Sequence, residues 1–141
     1  MLHDRKCPLV LFAEDDDEDW MLIEDAFALC PFAKQLERVK DGIALMKRLR
    51  DPKGQRPALV LLDLKMPMKN GHEALEEIRA DDKLRAIPVV IMTGSRSEAD
   101  IYRSYFNGAN SYIAKPVSLA NLDIIRRYWN DVVSFPPPVA P

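Results

Sequence analysis

Asp63 closes the apolar run Ala58-Leu59-Val60-Leu61-Leu62, a place where an acid contributes nothing to packing. Three other apolar runs end or begin at polar residues of the same kind. Glu14-Asp15 follows Leu9-Val10-Leu11-Phe12-Ala13, Thr93 follows Val89-Val90-Ile91-Met92, and Lys115 stands between Ala114 and Pro116. If these ends meet, three carboxylates, a hydroxyl and an ammonium share one site. Carboxylates within about 4–6 Å raise one another's pKa, so such a cluster needs a cation. Hard oxygen ligands select Mg²⁺ or Mn²⁺, with waters and a phosphoryl oxygen completing the shell. Asp63 can then act as a nucleophile toward phosphorus, giving an acyl phosphate, while Thr93 and Lys115 are candidates to balance charge on the transferring phosphoryl oxygens. The plainer alternative is that Asp63 caps a loop after a buried strand.

Those ends can meet only if the runs are strands of one parallel sheet. Strand-like and helix-like patterns alternate along the chain, which favours βα units. Strands are expected at residues 9–13, around Leu36 and Val39, at 58–62, at 88–92 and at 111–114. Between them, Trp20, Ile23, Phe27 and Cys30 recur at helical spacing up to Pro31. A second helix after Asp41-Gly42 carries Ile43, Leu45, Met46 and Leu49 on its inner arc. A third follows Asn70-Gly71 with Ala74, Leu75 and Ile78, leading out through Leu84. Residues 98–107 make a fourth helix and 119–133 a fifth. Phe135 to Pro141 is proline-rich and cannot be helical, so an extended tail is expected. Five such units without a second half suggest an α/β, flavodoxin-like, doubly wound sheet in the order 2-1-3-4-5. Its site lies at the carboxyl ends of the first and third strands.

Composition bounds the rest. With 141 residues the chain fits one domain, since single cores span about 100–200 residues, and no room is expected for an output domain. A net charge of -2 argues against a general binder of nucleic acid or anionic membranes. Cys7 and Cys30 lack metal-ligand spacing and read as free thiols. No apolar run approaches the roughly 18 residues of a membrane span, and residues 1–6 lack a signal-peptide core, so a cytoplasmic protein is expected. His3 and His72 are expected at the surface.

Four motifs in order resemble the receiver domains of two-component response regulators, over about residues 8–134. They are Leu11-Phe12-Ala13-Glu14-Asp15-Asp16, Leu62-Asp63-Leu64-Lys65-Met66-Pro67 with Asn70-Gly71, Pro88 to Gly94, and Gly108 to Pro116. The resemblance implies that Asp63 accepts a phosphoryl group and that Asp15 ligates Mg²⁺ directly, with Glu14 acting through water and the Lys65 carbonyl as a further ligand. It also implies that Thr93 and Lys115 bind the phosphoryl group and that the Lys115-Pro116 peptide is cis. Tyr112 matches the aromatic switch that follows Thr93, although it also fits an ordinary half-buried strand aromatic. Lys65 and Ser95 occupy the positions that tune autodephosphorylation. Asp100 to Ile113 and the ending from Tyr128-Trp129 to Pro137 are similar to stand-alone regulators associated with phytochrome kinases. That similarity implies a sensor histidine kinase of phytochrome type as partner, and a homodimer.

Other classes fit less well. An aspartyl-nucleophile phosphatase of the haloacid-dehalogenase type needs a second acid two residues after the nucleophile, where Lys65 stands. A flavin carrier needs a phosphate-binding first loop, and this one is acidic. A pseudo-receiver that only binds partners has no need of the complete set Glu14, Asp15, Asp63, Thr93 and Lys115. Asp17, Glu18 and Asp19 read as a helix N-terminal charge cluster. In the last helix Leu122, Ile125, Trp129 and Val132 form one stripe with Ile124 and Tyr128 outside it; in the fourth, Ile101 and Tyr105 are joined by Tyr102 and Phe106. Either the tail covers these surfaces or they form an interface, for which Tyr105, Tyr128, Trp129 and Phe135 are the candidates.

Overall fold

A computed structural model describes residues 8–29 and 35–117. The expected fifth helix and tail, with Tyr128, Trp129 and Phe135, lie outside the described residues, as do Cys7, Cys30 and His3. The elements are β1 (Leu9–Ala13), α1 (Asp17–Ala28), β2 (Gln35–Val39), α2 (Gly42–Leu49), β3 (Leu59–Leu62), α3 (Gly71–Ala80), β4 (Val89–Thr93), α4 (Glu98–Phe106) and β5 (Ser111–Ala114). All strand pairs are parallel and the order is β2-β1-β3-β4-β5, the doubly wound arrangement expected.

The period-2 alternation of the strands divides the core into two layers. Leu11, Ala13, Val60, Leu62, Val89 and Ile91 face α2 and α3, meeting Leu45, Met46, Leu49, Leu75 and Ile78. Val10, Phe12, Leu59, Leu61, Val90 and Met92 face the other way, against Ile23, Ala26 and Phe27 of α1. Phe12 sits edge-on to both Trp20 and Phe27, with ring centroids 5.1 and 5.3 Å away. Because both faces are covered, β1, β3 and β4 are buried along their whole length, which explains their unbroken apolar runs. The edge strand β2 is only partly covered and correspondingly mixed.

Two burial expectations are corrected. Ile43 is exposed, not on the inner arc of α2. The Asp41 side chain accepts from Ala44 N and starts the helix at Gly42, and at 100° per residue this places Ile43 about 110° from the centre of the Leu45-Met46-Leu49 arc. His72 is buried, because the capping box of Asn70 and Glu73 turns the first turn of α3 so that His72 faces α4.

Candidate functional site

Backbone pairing delivers the acids to one edge of the sheet. Glu14 N donates to Val39 O and Asp63 N to Ala13 O, so each acid continues its strand by one residue and emerges at the carboxyl end. Glu14, Asp15 and Asp63 present carboxylate oxygens within 4.8 Å of one another. Glu14 is fully buried and Asp63 is 5% exposed, while Asp15 faces solvent. Gly71 makes this crowding possible. A Cβ there would collide with the Asp63 carbonyl oxygen and the Leu64 backbone, so only glycine lets α3 start against the end of β3.

Lys115 answers the acids from the far side. Thr93 pairs with Ala114 across β4 and β5, and Lys115 N donates to Thr93 O, which places the lysine one step beyond the sheet. Its Nζ donates to Asp63 Oδ2 at 2.7 Å and Asp19 Oδ2 at 2.8 Å, and forms an ion pair with Glu14 Oε1. The Lys115-Pro116 peptide is cis, as the sequence resemblance implied.

Burial pushes the Glu14 carboxyl up to about 7; the Asp63 charge adds to this, and Lys115 opposes it. Burial would lower the Lys115 ammonium, yet the carboxylates of Asp19, Asp63 and Glu14 together hold its pKa raised. Four acids, Glu14, Asp15, Asp19 and Asp63, around one ammonium leave an excess of negative charge in a partly dry cleft. This donor set fits a divalent cation: all-oxygen, carboxylate-rich and open to solvent at Asp15.

The response regulator receiver domain model matches residues 10–125. The chain belongs to that family. The receiver is 41% identical over 128 residues to the probable methanogenesis regulatory protein FilR2 of Methanothrix harundinacea, covering 86% of this chain and 83% of FilR2. It is 33% identical over 136 residues to the response regulator Rcp1 of Synechocystis, covering 91% and 92%. The Mn²⁺-bound form of Rcp1 superposes with a TM-score of 0.78 at 31% identity, covering 92% of this chain and 99% of that one. The phosphorylated cyanobacterial phytochrome response regulator RcpA gives a TM-score of 0.81 at 34% identity, covering 93% and 99%.

Around the receiver's acidic cluster the remaining expected residues fall at different distances. Lys65 N donates to Asp63 Oδ1, turning the loop immediately after the acid, and the Lys65 side chain is exposed. Thr93 is fully buried; its hydroxyl accepts from Ser95 N, and among the described residues no hydrogen bond joins that hydroxyl to Asp63 or Lys115. The Tyr112 ring packs against the α2 and α3 layer, its hydroxyl donates to the Ser95 carbonyl, and burial together with the Asp100 and Asp63 charges raises its pKa. Tyr105 is exposed on α4, with Tyr102 and Phe106 beside it and stacked on each other at 6.2 Å.

Asp19 corrects the reading of Asp17, Glu18 and Asp19 as a charge cluster alone. It contributes a third carboxylate to Lys115, whereas Asp17 pairs with Arg38 and Lys40. One signal for it was present in the sequence: Asp19 precedes buried Ile23 by four residues and therefore lies on the sheet-facing side of α1. Arg38, lying over the Trp20 ring, also serves the site by donating from Nε to Glu14 O at 2.7 Å. Nothing in the local sequence of β2 marked it. Among the described residues, no helix is long and apolar enough to cross a membrane.

Proposed function

We propose that this receiver accepts a phosphoryl group on Asp63 from the phosphohistidine of a sensor histidine kinase of phytochrome type, with Mg²⁺ or Mn²⁺ held by Asp15, Asp63, the Lys65 carbonyl and, through water, Glu14. The observation that carries the reading is the convergence of the Glu14 and Asp15 carboxylates and the Lys115 ammonium on the one acid, Asp63, that closes β3. Similarity to phosphorylated RcpA and Mn²⁺-bound Rcp1 supports the phosphoryl and metal parts, and similarity to a phytochrome response regulator supports the kinase class.

An Asp63 carboxylate oxygen attacks phosphorus, the P–N bond to imidazole breaks, and the imidazole keeps the electron pair and is protonated. The cation, when bound, neutralises phosphoryl oxygens during this transfer. Lys115 follows the charge from the carboxylate to the phosphoryl oxygens, and Thr93 moves from Ser95 N to a phosphoryl oxygen. Tyr112 responds to that movement, and the surface of α4, β5 and the expected fifth helix changes its affinity for a partner, including a second copy through Tyr105 and its aromatic neighbours. Hydrolysis of the acyl phosphate, tuned by Lys65 and Ser95, returns carboxylate and inorganic phosphate.

Acetyl phosphate with Mg²⁺ is expected to add one phosphoryl mass to the intact protein and none to Asp63→Asn. Uptake by the variant, or none by the native chain, overturns the assignment. Light-scattering mass before and after treatment reads the dimer directly, and a Tyr105→Ala variant that dimerises like the native chain would remove that residue from the interface.

A further inference from the structure

Ser95 has all of its polar atoms in use. Its N–H donates to Thr93 Oγ1 at 3.2 Å, its hydroxyl donates to Asp100 Oδ2 at 2.7 Å and accepts from Ser97 N, and its carbonyl accepts from Tyr112. The other carboxylate oxygen of Asp100, Oδ1, faces His72 Nε2 at 3.5 Å. His72 is 6% exposed, and neither ring nitrogen makes a hydrogen bond among the described residues. A buried polar nitrogen without a partner is costly, and a shift of about half an ångström brings His72 Nε2 within bonding distance of Asp100.

These contacts form a chain that leads from the phosphoacceptor round to Thr93. Asp63 touches the start of α3 through Gly71, His72 follows on α3 and faces Asp100 on α4, Asp100 holds Ser95, and Ser95 holds Thr93. Among the described residues little else secures α4. Ser104 is its one fully buried residue, and its large side chains Tyr102, Tyr105 and Phe106 point outward. A helix with so little apolar anchorage takes its position from polar ties near its ends. The Ser95 hydroxyl first, against burial, then the His72 ring and last the Lys65 charge hold the Asp100 carboxyl below the usual range.

We propose that Asp100, braced by buried His72, is a positioning residue for the Asp63 site: through Ser95 it fixes the Thr93 hydroxyl and joins the movement of that hydroxyl to α4. The inference rests on the phosphoacceptor reading for its consequence in signalling, and on the chain of contacts alone for its mechanical part. Asp100 touches neither Asp63 nor the acids beside it, and the hydrogen-bonded route from it to the site runs through Ser95.

The test uses the full chain with Asp100→Ala, Ser95→Ala, their combination, the rescue variant Asp100→Asn, and His72→Phe with His72→Gln as a second replacement. In the unphosphorylated protein, Asp100→Ala and the His72 variants are expected to speed amide exchange at Ser95 and Ser97 about tenfold, the loss of one hydrogen bond, while Val90 and Ile91 are unchanged. After acetyl phosphate treatment, Asp100→Ala is expected to shorten the acyl-phosphate half-life roughly threefold because the Thr93 contact is less ordered. Adding Asp100→Ala to Ser95→Ala should change nothing further, and Asp100→Asn, whose amide oxygen still accepts from Ser95, should restore most of the half-life. Unchanged exchange at Ser95 in Asp100→Ala, or effects that multiply in the double variant, overturns the proposal. If the native chain takes up no phosphoryl group, the phosphoacceptor reading falls and the exchange measurement alone decides the positioning role.

Discussion

Lys115 Nζ and Asp63 Oδ2 lie 2.7 Å apart, and the same ammonium is shared with Glu14 and Asp19. Lys115 therefore holds together a cluster that would otherwise repel itself. Removing one partner of a buried ion pair costs about 3–5 kcal/mol. Lys115→Met is expected at the low end, about 3 kcal/mol without metal, because Glu14, already pushed up to about 7, can take up a proton when the ammonium is gone. Mg²⁺ should recover part of the loss by supplying the missing positive charge. Urea unfolding with and without Mg²⁺ reads both effects; a variant as stable as the native chain in metal-free buffer contradicts the role given to Lys115.

Gly71 is the backbone counterpart of that pairing. Gly71→Ala places a methyl group against the Asp63 carbonyl and the Leu64 backbone, neither of which can turn aside. Overpacking of this kind costs about 1–3 kcal/mol, and here the displaced atoms carry the phosphoacceptor. Both the melting temperature and acetyl phosphate uptake should fall together. A variant that melts early yet takes up phosphate at the native rate would separate α3 placement from the site.

Much of this was legible in the chain. Fully buried strands write their burial as unbroken apolar runs, so the polar residue ending each run stood out, and Glu14, Asp15, Asp63 and Lys115 do meet. What stayed hidden were contacts between helices. His72 gave no periodic signal, because its burial depends on how α3 and α4 face one another rather than on its neighbours in sequence. Asp19 was masked by the acids around it, whose places at a helix N-terminus had a sufficient local reason. Ile43 was misplaced for a related cause: the cap at Asp41 sets the helical phase, and apolar character alone does not.

Met68 has φ of 69°, the left-handed region, and the residue is 76% exposed. That conformation costs a residue with a Cβ roughly 1–2 kcal/mol, and asparagine bears it better than methionine. No packed contact is lost by the change, so Met68→Asn is expected to raise stability by about 0.5 kcal/mol. A higher urea midpoint with an unchanged slope would bear this out, and a lower midpoint would show that the loop gains from the methionine.

Glu77 gives the fold a dependence on pH outside the site. The Lys69 ammonium pairs with its carboxylate and Arg50 Nη1 donates to it at 2.8 Å, joining α3 to the end of α2 and to the loop after β3. The Lys69 contact, with Arg50 behind it and burial opposing, holds the Glu77 carboxyl below its usual value of 4.5. A carboxyl depressed in the folded state stabilises the fold above its unfolded pKa, and that contribution is lost as pH falls through the folded value. Glu77→Gln should therefore be less stable than the native chain at pH near 7, with a gap that begins to close below 4.5 and vanishes once the native carboxyl is protonated. Urea midpoints of the two proteins across that range test it. A gap that stays constant would assign the effect to packing of the side chain rather than to its charge.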